Sequence, residues 1–454
     1  MTPLPPIDRE ALRLALARRV AYRTESQDPD RGAELRAYLT DEIGPTLAAL
    51  GFTWTIWENP VPGRPPFLFA ERIEGASLPT VLMYGHGDVV LGYDAQWKKA
   101  ASPWTLQAQG NRWYGRGTAD NKGQHSINLA AIELVLKSKG HLGCNLKWLF
   151  EMGEEVGSPG LRATCEARRE ALAADALLAS DGPRLRSELP TLFLGSRGAF
   201  NFVLDCNLRD GGHHSGNWGG LLANPGTILA NAIASLVGKS GVIRVPGLRP
   251  APIPASVRRA LAPIEPGEPG GPAIDENWGE PGLSPAERVF GFNALEVLAF
   301  RTGNPENPVN AIPGRATAHL QLRFVAGCDH TAFIAAIRAH LDANGFESVA
   351  VAPARSETMA ATRLDPDHPW ARWAAASVAR TTGIAPAVLP NLGGSLPNDC
   401  FADVLDLPTI WVPHSYPACS QHAPDEHLLA DVAVQGVAIM AGLLADIGNA
   451  PKRS

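Results

Sequence analysis

Three apolar, strand-like runs in this chain each end in glycine with an acid or a histidine, and that recurrence constrains the fold more than any other feature. Thr80 to Tyr84 leads into Gly85-His86-Gly87-Asp88. Leu146 to Phe150 leads into Glu151-Met152-Gly153-Glu154-Glu155. Ala176 to Ala179 leads into Ser180-Asp181-Gly182. In open α/β sheets, sites form outside the carboxyl ends of strands, so three such endings in order mark one site. Between the first two lies Tyr-Gly-Arg-Gly-Thr-Ala-Asp-Asn-Lys-Gly, from Tyr114 to Gly123. Its glycines allow tight turns, so Asp120 can project from a strand-to-helix junction. The helix that follows carries Ile127, Ala131, Leu134 and Val135.

His86 and Asp88 are two apart, so in extended chain they share a side. That spacing suits a metal-bound imidazole steadied by a carboxylate, or an imidazole merely hydrogen-bonded by its neighbour. Glu154 and Glu155 are adjacent at a strand end, where neighbouring side chains point in different directions. One can hold a metal while the other works on a water. Near the C-terminus, Ser420-Gln421-His422-Ala423-Pro424-Asp425-Glu426 follows a strand-like run, Pro408 to Val412.

A chain of 454 residues exceeds one ordinary core, so two domains are expected. Residues 1–197 read as α/β. They open with a helix capped by Asp8, a second with Leu35, Leu39, Ile43, Leu47 and Leu50, and a strand from Phe52 to Trp57. Gly44-Pro45 should kink or split the second helix. Near Gly195 the character changes. Phe200 to Leu208 and Ala316 to Val325 alternate as half-exposed antiparallel strands, and Asn224-Pro225 starts a helix. Val245 to Pro285, rich in proline and glycine, reads as a long ordered loop or extended excursion rather than a domain of its own. Residues 198–358 are therefore expected to form an inserted α+β domain, with 359–454 returning to α/β.

The net charge of −6 argues against nucleic acid or an anionic membrane as a main partner. No basic segment followed by an apolar one opens the chain, and no uninterrupted apolar run spans a bilayer. Six scattered cysteines without CxxC spacing suit a reducing cytoplasm. No glycine-rich dinucleotide fingerprint follows a strand, which removes support for an oxidoreductase.

The candidate ligands His86, Asp120, Glu155, Asp181 and His422 are all imidazole or carboxylate, a set that suits zinc in a catalytic site. Five ligands are too many for one open tetrahedral ion. They fit two if one carboxylate bridges, with Asp120 the central choice. Two such ions would acidify a shared water and polarise a carbonyl, leaving Glu154 as the general base.

Those five motifs, in that order, resemble the di-zinc metallopeptidases. That family includes carnosinase-type dipeptidases, aminoacylase, carboxypeptidase G and succinyl-diaminopimelate desuccinylase. The resemblance implies a zinc-exopeptidase-like fold, with a mostly parallel sheet, helices on both faces, and an inserted α+β lid and dimerisation domain. It implies two Zn2+ per chain, with Co2+ or Mn2+ able to substitute. His86, Asp120 and Asp181 would hold one ion, and Asp120, Glu155 and His422 the other. Asp88 would orient His86, and a cis peptide would follow Asp120. His214-Ser215-Gly216, then Gly219-Gly220 and Asn224-Pro225, resembles the carnosinase-type branch. There the histidine comes from a partner subunit and meets the developing oxyanion. The same likeness places Arg323, Gly394 and Ser395 around a substrate carboxylate. Asn310 stands where that branch carries a threonine, and Gly212 where it often has an acid; both departures bear on substrate choice. His213, His414 and His427 read as surface or supporting histidines. The implied activity is hydrolysis of a peptide bond beside a free carboxylate in a dipeptide, with an aminoacylase acting on N-acyl amino acids, or a carboxypeptidase, as the alternative on the same di-metal centre. The implied assembly is a homodimer.

Overall fold

Asp8 caps the first helix, Arg9–Val20, by accepting from the backbone N–H groups of Glu10 and Ala11. The second helical stretch is broken as its Gly-Pro pair predicts. Gly32–Ala37 runs into a π turn, Tyr38–Ile43, and then Gly44–Ala49. A computed structural model describes residues 5–267, 271–354 and 359–451.

The larger body is built on an eight-stranded sheet. Its order is Thr53–Trp57, Phe67–Arg72, Asn145–Glu151, Thr80–His86, Ala176–Ala179, Thr409–Trp411, Thr191–Phe193 and Ala387–Leu389. The centre is parallel, because Thr80–His86 pairs that way with both neighbours and Ala176–Ala179 with Thr409–Trp411. The pairs at the Thr53–Trp57 end are antiparallel. Side chains alternate between two cores, as the strand period requires. Val81 and Met83 join the cluster under helices Arg9–Val20, Lys122–Lys139, Pro369–Thr382 and Ala430–Asp446. Leu82 and Tyr84 join the opposite cluster, under helix Leu161–Ala167 and the turn Cys400–Val404. Helices thus cover both faces, and the strand ends that carry His86, Glu151 and Ala179 open onto one edge.

Residues Ala430–Asn449 are long and apolar enough to cross a membrane by length and composition alone. Asp431 and Gln435 interrupt the run, 72% of its apolar stretch is buried, and it packs on Lys122–Lys139 and Pro369–Thr382.

A second sheet lies within 198–358. Its order is Ala294–Thr302, Arg315–Phe324, Gly198–Asn207 and Val349–Pro353, all antiparallel. Helices Pro225–Leu236 and Phe333–Ala343 cover one face, where Ala318, Leu320, Leu322 and Phe324 are buried. The alternation along Arg315–Phe324 matches the reading from sequence. The 245–285 stretch, of which 268–270 lie outside the described residues, is more regular than the loop or excursion expected. It holds a 3₁₀ turn, Pro246–Leu248, and a helix, Ala255–Leu261. Ile253, Val257, Leu261 and Ile264 recur at near-helical spacing among the prolines and pack into the core of the larger body. The prolines masked that period.

Candidate metal centre

Asp120 lies at the middle of the site, just before helix Lys122–Lys139, and each of its carboxylate oxygens faces a different histidine. Oδ1 is 2.9 Å from His86 Nε2, and Oδ2 is 3.0 Å from His422 Nε2. The Asp120–Asn121 peptide is cis. His86 ends the strand Thr80–His86, and its Nε2 also lies 3.4 Å from Asp181 Oδ2. His422 Nε2 lies 3.1 Å from Glu155 Oε2. Two donor sets result, His86–Asp120–Asp181 and Asp120–Glu155–His422, each with its donor atoms within 4.8 Å of one another. They share Asp120.

The electrostatics call for cations. Burial opposes ionisation of Asp181 and Glu154 and lifts both carboxyl groups, and neighbouring carboxylates add to the lift. Burial lifts Glu155 too, with Asp120 adding. Hydrogen bonds donated to Asp120 and Glu155 raise the His422 imidazole to about 11. His86 rises despite its burial, through contacts with Asp120, Asp181 and Asp88. Divalent ions at these donors would balance the carboxylate charge that raises both imidazoles. Glu155 Oε1 is buried with no hydrogen-bond partner, which leaves an oxygen free for an ion. The residues present therefore fit two divalent metal ions of the kind that nitrogen and carboxylate donors hold.

The surrounding shell fixes these donors. Asp88 Oδ1 lies 3.3 Å from His86 Nδ1, so the ring presents Nε2 to the site. The two glutamates sit on a 3₁₀ turn, Glu154–Val156, rather than on the strand end expected from sequence. Gly153 ends the strand pattern, and Asp88 accepts the freed N–H groups of both residues. His422 adopts φ 61°, a left-handed conformation uncommon for a residue with a side chain. Its loop is tied down on both sides. Asp425 accepts from the backbone of Lys98 and Lys99, and Glu426 accepts from the N–H groups of Ala119 and Asp120.

A cavity of about 890 Å³ opens beside these groups. Asp120, Glu154, Glu155, Asp181 and His422 line it, together with Arg323, Gly394 and Ser395. Arg323, on the half-exposed face of its strand, donates to Ser395 Oγ at 2.9 Å. His214 and Asn310 are not among the described residues lining the cavity. They lie together on the inserted unit, where Ser215 N–H donates to the Asn310 carbonyl, and both are exposed.

The model of peptidase family M20/M25/M40 matches residues 82–446. The chain belongs to that family. The Beta-Ala-His dipeptidase of Mus musculus is 34% identical over 187 residues, 40% of this chain and 38% of the relative. The Cysteinylglycine-S-conjugate dipeptidase of Corynebacterium striatum is 29% identical over 256 residues, 55% of this chain and 54% of the relative. These matches thus span between about a third and a half of the relatives' lengths. Among solved structures, human carnosine dipeptidase 1 superposes with a TM-score of 0.76 at 21% identity, covering 98% of this chain and all of that one. An M20 family metallo-carboxypeptidase from Sulfolobus solfataricus gives 0.80 at 23%, covering 96% and 99%. At those identities the superpositions establish the fold. Membership of this metallopeptidase family agrees with a divalent-metal centre.

Three residues at this centre escaped the reading from sequence. Gln421 donates an amide N–H to Asp120 Oδ2 and lines the cavity. Arg116 and Glu426, both fully buried, pair at 2.6 Å across 310 positions and join the Asp120 loop to the His422 loop. Adjacency to His422 was the only available signal for Gln421; nothing local reveals the Arg116–Glu426 pair. The other histidines have supporting places. Burial holds His414 well below the ordinary imidazole range, and its Nε2 meets Ser180 Oγ at 3.1 Å. His427 meets the Tyr416 hydroxyl, and His213 packs edge-on against Trp218.

Proposed function

We propose that this chain is a zinc-dependent dipeptidase, hydrolysing the amide bond that precedes a free C-terminal carboxylate. One observation carries the reading: two donor sets sharing Asp120 open onto the same cavity as an arginine held by a serine. His86, Asp120 and Asp181 would hold one Zn2+, and Asp120, Glu155 and His422 the other. Bound there, the pair supplies Lewis acidity toward the scissile carbonyl and a more acidic water.

The chain's own residues do the rest. Arg323 takes the substrate carboxylate in a charge-assisted, two-pronged pairing, beside Gly394 and the Ser395 hydroxyl. Glu154, its side chain 13% exposed at the cavity and its basicity raised by burial, accepts the water's proton. It then delivers that proton to the departing amine. Asp88 keeps His86 and the 154–155 turn in register. His214 would meet the carbonyl oxygen as charge develops, delivered by a second copy of the chain. What supports that last role is its exposure on the inserted unit, whose edge strand Ala294–Thr302 also leaves Val297, Leu298 and Phe300 exposed. A cytoplasmic homodimer is the assembly this reading expects.

The test is a substrate panel on the zinc-loaded chain, dipeptides against N-acetyl amino acids, followed by released amine. Dipeptides should be cleaved, chelation should abolish turnover, and zinc, cobalt or manganese should restore it. Cleavage of N-acetyl amino acids alone would replace the dipeptidase reading with an aminoacylase. A bound stoichiometry well under two ions per active chain would remove the paired centre.

A further inference from the structure

Residues 392 to 395 run from the metal centre to the carboxylate clamp. The Leu392 side chain lies against Gly182, the neighbour of Asp181, with its Cδ1 3.2 Å from where a Cβ on that glycine would stand. Ser395 accepts from Arg323 at the other end, and Gly394 lines the same cavity. Gly393, between them, faces Val289 and Phe290. A Cβ placed on Gly393 would find Phe290 Cε1 at 3.7 Å and Val289 Cγ1 at 3.8 Å, with no other described atom within 4 Å. That is ordinary contact distance, so there is room in front of this glycine.

Val289 and Phe290 owe their position to the proline-rich excursion. Ile253 and Leu261 pack against Gly291, and Ile253, Val257, Leu261 and Ala286 form one cluster with Phe290. Leu185, Phe193 and Leu389 continue the wall, and none of these side chains carries a charge.

A dipeptide bound by its carboxylate has little freedom here. With the scissile carbonyl at the metal centre and the carboxylate at Arg323, the C-terminal Cα must lie between them. The side chain on that Cα leaves from the level of Gly393. We infer that Val289, Phe290 and Leu392 form the subsite for the C-terminal side chain, and that this subsite selects a large apolar residue of the leucine or phenylalanine class. The inference rests on the clamp assigned to Arg323, Gly394 and Ser395 above.

The subsite should show in a specificity ratio. For the zinc-loaded chain, kcat/KM for Ala-Leu should exceed that for Ala-Gly by about tenfold or more, the usual worth of filling an apolar pocket. Val289→Asp should lower that ratio by about tenfold, because the leucine side chain would then desolvate a carboxylate. The ratio is taken within one preparation, so partial loss of folded protein cancels. Should Val289→Asp fail to fold, Gly393→Ala gives a second reading, since its methyl fits without clash and shortens the subsite. It should lower Ala-Phe relative to Ala-Ala. A parent ratio near one, or ratios unmoved by both variants, would overturn the subsite while leaving the dipeptidase reading intact. If dipeptides survive and N-acetyl amino acids are cleaved, the dipeptidase reading fails. The N-acetylleucine to N-acetylglycine ratio then decides the subsite. Calorimetric binding of leucine against glycine gives the same comparison without turnover, and equal affinities would count against the subsite.

Discussion

Asp88 accepts a hydrogen bond from the backbone N–H of Glu155 at 3.1 Å, although the two residues come from different strand ends. Its other oxygen takes the N–H of Glu154 at 3.2 Å and also lies 3.3 Å from His86 Nδ1. One buried carboxylate thus holds a donor from each of the two sets, His86 and Glu155, together with Glu154, the base proposed above. Asp88→Asn keeps the size but offers only one acceptor oxygen, and its amide would oppose whichever N–H it faced. Zinc affinity should fall about 10- to 100-fold, read by competition with a chelator. Unchanged affinity would confine Asp88 to packing.

Glu154 and Glu155 are separated by what lies next to each. Both line the cavity, but Glu155 reaches His422, whereas Glu154 Oε2 comes no closer than 4.0 Å to His86 Nε2. Glu154→Gln should retain its zinc while kcat drops by about 100-fold or more, the usual worth of general-base help. Loss of zinc with activity recovered on reloading would reverse the two roles.

Glu151 lies behind the centre, accepting from the Tyr84 hydroxyl at 2.6 Å and from Ser158 Oγ at 2.9 Å. Burial, with help from the nearby Asp88 charge, pushes its carboxyl up to about 7. Between the ordinary glutamate range and pH 7 the folded chain keeps a proton that the unfolded chain has lost. Stability from this group is therefore complete at low pH and is lost as pH rises through 7. Glu151→Gln keeps the acceptor for Tyr84 and removes the titration. In metal-stripped protein its Tm should exceed the parent's above pH 7, with the gap closing toward pH 4.5. A gap independent of pH would place the effect in packing.

Arg323 is the clamp proposed for the substrate carboxylate. The parent should cleave Ala-Leu well and its amide poorly. Arg323→Ala should bring the two rates together by slowing only the acid. Equal rates on acid and amide in the parent would remove Arg323 from substrate binding.

Much of this architecture is legible because it is local. Strands such as Thr80–His86 and Ala176–Ala179 declare themselves by apolar runs, and the groups that follow them converge because parallel strands end on one edge. The half-exposed strand Arg315–Phe324 shows its period directly. What stays hidden depends on distance or on a masked period. The Arg116–Glu426 pair joins loops 310 positions apart, and no local pattern selects that partner. Helix Ala255–Leu261 keeps its apolar spacing among prolines that read as loop. The Glu154–Val156 turn forms because Asp88 satisfies its N–H groups, a contact between separate strand ends.

The position of His214 bears on assembly. It is exposed on the inserted unit and does not line its own chain's cavity among the described residues. Near it in sequence Leu221 is 75% exposed, and beside Asn310 Val309 is 71% exposed, apolar surface that a second copy could cover. A two-fold pairing through the edge strand Ala294–Thr302 would let each copy lend its histidine to the other. Take two inactive variants, Glu154→Ala and His214→Ala, mix them equally and allow subunits to exchange. In a mixed dimer the His214→Ala chain keeps its metal centre and Glu154, and its partner still supplies His214. One of the two sites is then complete and the other lacks both groups. Random exchange makes about half the dimers mixed, so activity should recover to about a quarter of the parent's. If His214 acts within its own chain, no site in the mixture is complete. Absence of recovery, with exchange verified by a mass-tagged subunit, would refute a histidine lent between copies.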